Sequence, residues 1–147
     1  VTAAYRTEKE QEKLYLNTVN SHMDAGYPEK TAHSMAAMEV GAVNHSEHQL
    51  GFAVDFKSTQ MSILGSDGRS FEEYLTSTIH KYGFVLSFPA GGETETGREP
   101  NTAHYRYVGV EAASIMAEKQ WTLVEYRDYL QGQIDYLKQS IESLEKR

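Results

Sequence analysis

The patterning of the chain predicts an α+β fold in which a small antiparallel sheet is flanked by helices and followed by a C-terminal helical extension. Two short segments far apart in sequence alternate at the strand period. Three helix starts carry a capping box, and leucines recur every seven residues near the C-terminus.

The first capping box joins Thr7 to Glu10 and opens a helix expected to run to about Met23, stopped by Asp24-Ala25-Gly26-Tyr27-Pro28. A second helix, rich in Ala and Met, covers about Glu29 to Glu39. His48 then falls in a turn before an extended run, in which Gly51, Ala53 and Asp55 share one face while Phe52, Val54 and Phe56 point into a core. Gly51 and Ala53 clear space before the sheet, and Asp55 projects into it. A turn is expected at Gly65-Ser66-Asp67-Gly68. Ser70 and Glu73 box the third helix, with Phe71, Leu75, Ile79 and Tyr82 on one stripe and Gly83 at its C-cap.

A strand over 84–88 follows, then a loop from Pro89 to Arg98 whose three glycines and polar residues suit the rim of a cleft. The second alternating segment sets His104, Arg106 and Val108 on one face against Tyr105 and Tyr107 on the other. Thr122 and Glu125 box the last helix, where Leu123, Leu130, Leu137 and Leu144 keep heptad spacing with Ile134 and Ile141. Its first half is expected to pack on a domain spanning 1–130. Residues 131–147 then form an extension that serves as a homodimer seam, a stalk or further intramolecular packing.

With 147 residues, 39% of them hydrophobic, the chain can bury one core and is too short for two. A net charge of −7 and no basic cluster argue against a nucleic-acid surface. Cysteine is absent, so any metal must be held by nitrogen and oxygen. No run of 18 apolar residues occurs, and the chain opens at Val1 without a methionine or leader. These features suggest a piece of a longer precursor that is secreted or membrane-anchored, extracellular or in the cell envelope.

The chemistry lies in Ser46-Glu47-His48-Gln49-Leu50-Gly51-Phe52-Ala53-Val54-Asp55 and in Ala103-His104-Tyr105-Arg106-Tyr107. Pairing the second strand beside the first would bring His104 to His48 and Asp55, giving two imidazoles and one carboxylate. Three protein ligands with a fourth position free is the donor set of a hydrolytic zinc, because the free position takes the water that the metal acidifies. His22, His33 and His80 are read as solvated or hydrogen-bonded side chains. Arg6, directly before a helix start, offers a rigid fork of donors to a terminal carboxylate, which lysine cannot reproduce.

These residues resemble the VanY-type D-alanyl-D-alanine carboxypeptidases, zinc peptidases with a hedgehog-like metal fold. Ala4-Tyr5-Arg6-Thr7 with Gln11 is similar to the family's Ser-Gly-Tyr-Arg-Ser opening and its downstream glutamine. Lys81 to Pro89 resembles the strand after its third helix, and His104-Tyr105-Arg106-Tyr107-Val108-Gly109 its closing motif. The likeness covers roughly residues 1 to 130. It implies one zinc ion on His48, Asp55 and His104 in a small antiparallel sheet, and a peptidoglycan stem peptide as substrate, cut at a C-terminal bond of the D-Ala-D-Ala type. Arg6 would bind the substrate carboxylate or the developing oxyanion, with Gln11, Ser46, Asn101 and Arg106 as further substrate contacts. A non-catalytic zinc module for wall peptides, an L,D-carboxypeptidase and a D,D-dipeptidase are the alternatives.

The chain departs from the family beside its last ligand. Glu-Pro-Trp-His is usual there, with the glutamate three positions before the histidine as general base. Here the run is Glu99-Pro100-Asn101-Thr102-Ala103-His104, which puts Asn101 at the base position and Ala103 at that of the tryptophan. An amide cannot accept a proton from water. A second alignment keeps Glu99 as the base if a bulge or tight turn over Pro100 to Thr102 returns its carboxylate to the metal, and Glu99 is the residue favoured. Glu47, Glu93 and Glu95 are read as solvated surface charges.

Overall fold

The computed structural model describes residues 1–56 and 70–146, so the turn expected at Gly65 to Gly68 lies outside the described residues. All three capping boxes form. Thr7 and Glu10 open α1 (Glu8–Asp24), Ser70 and Glu73 open α3 (Phe71–Thr78), and Thr122 and Glu125 open α6 (Leu123–Glu145). In each, the hydroxyl accepts from the amide three residues on while the glutamate accepts from the cap amide, so two orphan donors are satisfied together.

Between α1 and α2 (Glu29–Glu39), Gly26 takes φ 94°, a left-handed turn that suits glycine. The two helices pack as a hairpin through Val19, Ala32 and Ala36, with Tyr15 laid against them. The Tyr15 hydroxyl meets Nδ1 of His33 at 2.9 Å, and His22 pairs with Glu39 at 3.1 Å. Both histidines thus have the hydrogen-bonded roles the sequence assigned them.

The sheet is antiparallel in the order β1 (Ala53–Asp55), β3 (His104–Tyr107), β2 (Phe84–Leu86). Its register sets Asp55 opposite His104 and Ala53 opposite Arg106, so the side chains of the two alternating segments share one face. On the other face Val54 lies opposite the buried Tyr105, and Phe56 meets the Tyr105 ring edge-on. Phe52 departs from the expectation of a core residue. It precedes the three-residue strand and is 51% exposed, alongside the half-exposed Tyr107 whose amide donates to its carbonyl.

The stripe on α3 also shifts. After Thr78 the helix tightens into a 3-10 turn over Ile79–Tyr82, which advances 120° rather than 100° per residue and rotates Tyr82 out to 68% exposure. Gly83 ends the turn at φ 83°, and a Cβ there would come within 2.7 Å of the Tyr107 ring. Two short helices lie where none was expected: α4 (Glu93–Thr96) in the rim loop and α5 (Val110–Lys119) after β3. Val108 leaves the strand early. It packs with Leu123 and Tyr126 on a cluster of Val85, Ala113 and Met116, which joins α5 and the start of α6 to the sheet.

The N-terminal residues run along the outer edge of β1. Thr2 donates to the Asp55 carbonyl and the Asp55 amide donates to Ala3, each at 2.8 Å. This edge pairing was not foreseen, and it carries Ala4 and Arg6 to the site.

Candidate metal centre

The Ser46–Asp55 stretch folds as a 3-10 turn (Glu47–Leu50) leading into β1, and Gly51 closes the turn at φ 74°. The turn buries His48, while the strand register brings Asp55 beside His104. One oxygen of Asp55 receives both rings: Oδ1 lies 3.2 Å from Nε2 of His48 and 2.8 Å from Nδ1 of His104. One ligand atom from each of the three residues falls within 4.8 Å of the others.

The remaining nitrogens are held from behind. Nδ1 of His48 lies 2.6 Å from the Ala4 carbonyl, which only accepts, so the proton belongs on Nδ1 and the lone pair of Nε2 faces inward. Nε2 of His104 lies 2.9 Å from Oε2 of Glu47 and donates to it, turning Nδ1 toward Asp55. Two nitrogen lone pairs and a carboxylate oxygen then face one another. Such a set repels itself unless a cation or a proton lies between, and this donor chemistry fits a divalent metal.

The electrostatics agree. Burial pushes the Asp55 carboxyl up, but the close approach of His104 and His48, which favours its ionised form, outweighs it and holds the group well below the ordinary carboxylate range. Burial lowers the His104 pKa, and Asp55 and Glu47 more than reverse that, so it stands above its usual value.

Glu47 corrects the reading of a solvated surface charge. Its side chain is only 14% exposed, with Oε1 accepting from Arg106 at 2.8 Å and Oε2 accepting from Ser87 at 2.7 Å as well as from His104. Burial raises this carboxyl, while the bonds from His104, Arg106 and Ser87 prevail and bring it down to about 2. A hint lay in the sequence: Glu47 precedes a ligand, and His104 and Arg106 share a strand face.

Arg6 lies beside Asp55, directly before the cap of α1. Its Nη2 lies 3.5 Å from Oδ2 of Asp55 and its Nη1 donates to Gln11 at 3.0 Å, while its amide donates to the His48 carbonyl. Burial lowers the guanidinium pKa against the pull of Asp55 and Glu10, which leaves it charged.

Gln11, expected as a substrate contact, lies directly behind Arg6. It is fully buried, its Nε2 donates to the carbonyls of Val40 and Gly41, and its Oε1 holds Arg6. Arg106 likewise holds Glu47. Ser46 is buried at the start of the turn, and its carbonyl accepts from Gln49.

A tight turn before His104 forms at residues 102–103, ending one position past the Pro100 to Thr102 stretch where it was expected. The Asn101 carbonyl accepts from the His104 amide, and its side chain accepts from Ala103. Asn101 is thereby tied into its own turn. The turn does not return Glu99 to the three ligands: Glu99 is exposed at the rim, fixed through its backbone amide to the Met38 carbonyl, with no side-chain partner among the described residues. Phe88 supplies the aromatic wall that Ala103 lacks, stacking on His104 with centroids 4.9 Å apart. Arg98 lies over the Phe88 ring, 4.8 Å from its centroid, and donates to the last carbonyls of α2 at Met38 and Glu39. A cavity of about 510 Å³ opens here, lined by Gly41, His45, Glu47, Phe88 and Arg98.

An open centre of two histidines and one aspartate on a small antiparallel sheet, with an arginine at its edge, defines a mononuclear metallohydrolase class of site. The chain belongs to the VanY family, described as D-alanyl-D-alanine carboxypeptidase, whose profile matches residues 1–110. It is 32% identical over 126 residues to a D-alanyl-D-alanine carboxypeptidase of Enterococcus faecalis, covering 86% of this chain and 46% of that protein. Among solved structures, VanYB in complex with D-alanine-D-alanine is 29% identical with a TM-score of 0.77, covering 89% of this chain and 69% of its own. A glutamate-to-alanine mutant of VanY from a VanB-type cassette, in complex with Zn(II), is 31% identical with a TM-score of 0.76, covering 86% and 69%. The chain spans about half the length of the curated relatives it matches.

Proposed function

We propose that this chain is a zinc-dependent carboxypeptidase that hydrolyses the C-terminal peptide bond of peptidoglycan stem peptides, of the D-Ala-D-Ala type. The observation that carries this reading is the convergence of Nε2 of His48, Nδ1 of His104 and Asp55 on one point. The relatives named for D-alanyl-D-alanine cleavage, and the neighbour solved with that dipeptide, support the substrate class.

His48, Asp55 and His104 would hold one zinc ion. Bound there, zinc supplies Lewis acidity, polarising the scissile carbonyl and making water nucleophilic at neutral pH. Arg6 offers a charged donor pair to the substrate carboxylate or to the oxygen that gains charge in the transition state. Glu99 is the proton acceptor of this reading. Both oxygens of Glu47 are engaged and the Asn101 amide takes no proton, whereas the Glu99 carboxylate is exposed at the rim and a swing of the side chain on substrate binding brings it into play.

Synthetic tetrapeptide and pentapeptide stems, incubated with zinc-loaded protein and identified by mass, test the proposal. Release of one terminal D-alanine from the pentapeptide is expected. Release from the tetrapeptide instead would reassign the enzyme as an L,D-carboxypeptidase, cleavage of free D-Ala-D-Ala as a dipeptidase, and no release with retained peptide binding as a non-catalytic module. A wall-peptide substrate also supports an extracellular or cell-envelope location, in a secreted or membrane-anchored precursor. No helix among the described residues is long and apolar enough to cross a membrane.

Self-association through α6, as a homodimer seam or a stalk, is a separate part of the proposal. Leu130, Ile134, Leu137, Ile141 and Leu144 line one stripe of that helix and are all exposed, with Ile and Leu at the alternating seam positions that suit two parallel strands. Sedimentation with and without residues 131–147 tests this, and an unchanged monomer mass removes it.

A further inference from the structure

We infer that Glu47 is a positioning residue of the metal centre, holding His104 in the ring orientation and tautomer that the metal requires. The inference rests on the zinc reading above and concerns a side chain that contributes no ligand atom to it.

The geometry assigns the role in three steps. An imidazole binds a metal through a nitrogen lone pair, so the proton of a neutral ring must sit on the opposite nitrogen. Nδ1 of His104 faces Asp55, and Nε2 must therefore be the donor. Oε2 of Glu47 at 2.9 Å is the acceptor that fixes the proton there.

Glu47 is itself immobilised from two strands. Ser87, just beyond β2, donates to the same Oε2 at 2.7 Å, and Arg106 on β3 donates to Oε1 at 2.8 Å. Phe88 stacks on the face of the His104 ring, so the ring can neither tilt nor rotate without breaking a contact. His48 has a backbone equivalent. Its Nδ1 is held by a backbone carbonyl, which no substitution at position 4 removes.

Replacing Glu47 by glutamine separates position from charge. The carbonyl end of the new amide can accept from Arg106, which leaves its NH2 toward His104. That group donates to Nε2 and forces the proton onto Nδ1, the nitrogen the metal needs. Loss of an outer partner of a metal-bound histidine typically weakens affinity by about 10–100-fold.

The test uses the full chain and two measurements: the zinc dissociation constant by chelator competition, and histidine ¹⁵N NMR of the zinc-loaded protein. In the unsubstituted protein, tight zinc binding with a slowly exchanging Nε2 proton on His104 is expected. Glu47→Gln should weaken zinc by about 10–100-fold and lose that proton signal while His48 keeps its own. Arg106→Gln, which loosens Glu47 but leaves its contact with His104, should weaken zinc by a smaller factor and keep the signal. It decides the matter if Glu47→Gln fails to fold. Unchanged zinc affinity in a folded Glu47→Gln protein, or in Arg106→Gln where only that variant folds, overturns the inference. If the unsubstituted chain binds no zinc, the functional reading fails instead, so the two failures are distinguishable.

Discussion

The segments Ser46–Asp55 and Glu99–His104 build one site by different means. In the first, a buried turn and a strand fix His48, Asp55 and Glu47, with every one of their side chains in a hydrogen bond or ion pair. In the second only His104 arrives on a strand, while Asn101 closes on its own turn and Glu99 stays exposed. The strand sets the direction of a side chain by register, and a turn sets it by local hydrogen bonds that spacing does not reveal. The contrast is between a half fixed in the site by side-chain bonds and a half in which only His104 is so fixed.

Breaking the fixed half should have the largest effect. His48→Ala or His104→Ala removes a ligand and leaves the other donors with two protein partners for the metal. Bound zinc, measured by atomic absorption after desalting, should be lost together with stem-peptide hydrolysis. Activity retained in metal-free protein would falsify the zinc scheme.

The second half is tested by Glu99→Gln. Loss of a positioned proton acceptor costs about 10²–10⁴-fold in rate, and the expected result is a fall in kcat of that size with zinc content unchanged. Asn101→Glu in that background puts an acid three positions before His104 and should recover part of the loss. A Glu99→Gln protein as fast as the parent would remove Glu99 from the mechanism.

Arg6→Lys comes next, since it keeps the charge and removes the fork. One charged hydrogen bond is worth about 1.5–3 kcal/mol, so kcat/KM should fall by roughly 10–100-fold. Zinc affinity should hold, because Arg6 approaches Asp55 only at 3.5 Å.

How much of this was legible follows the same division. The three capping boxes and the face shared by Ala53, Asp55, His104 and Arg106 could be read from local pattern, because each obeys a fixed period or a fixed offset, and the pairing of those strands brings the His48, Asp55 and His104 set together. The hydrogen bonds of Gln11 could not: they run to carbonyls at positions 40 and 41, which only the packing of α1 against α2 brings near. The setting of Glu47 was only hinted at, since its partners come from Ser87 just beyond β2 and from β3, and the exposure of Tyr82 needs the change of helix pitch after Thr78. α5 went unseen without a capping box, and Gly109 stands at its N-cap.

A smaller effect concerns acid stability of the metal-free protein. The Glu47 carboxyl is depressed from 4.5 to about 2, so its contribution to stability is present in full above 4.5 and is lost as pH falls toward 2. The His104 shift has the opposite sign: raised above 6.5, it stabilises most below that value and fades as pH rises through the folded pKa. Urea unfolding of the metal-free chain should therefore show stability falling below about pH 4.5, and Glu47→Gln should flatten that limb. An unaltered limb would place the acid sensitivity at Asp55 instead.

The smallest change is expected far from the centre. Leu123, Tyr126 and the Trp121–Tyr129 ring pair tie only the start of α6 to the domain, and the stripe from Leu130 to Leu144 is exposed. Ending the chain at 130 removes an exposed helix that makes little contact with the core. Unfolding stability of the monomer should then move by no more than about 0.5 kcal/mol, the usual range for changes on an open surface. Stem-peptide hydrolysis should be unchanged, since none of the metal-centre side chains lies beyond Arg106. A large loss of stability would show that α6 completes the core, and would draw the domain boundary past residue 130.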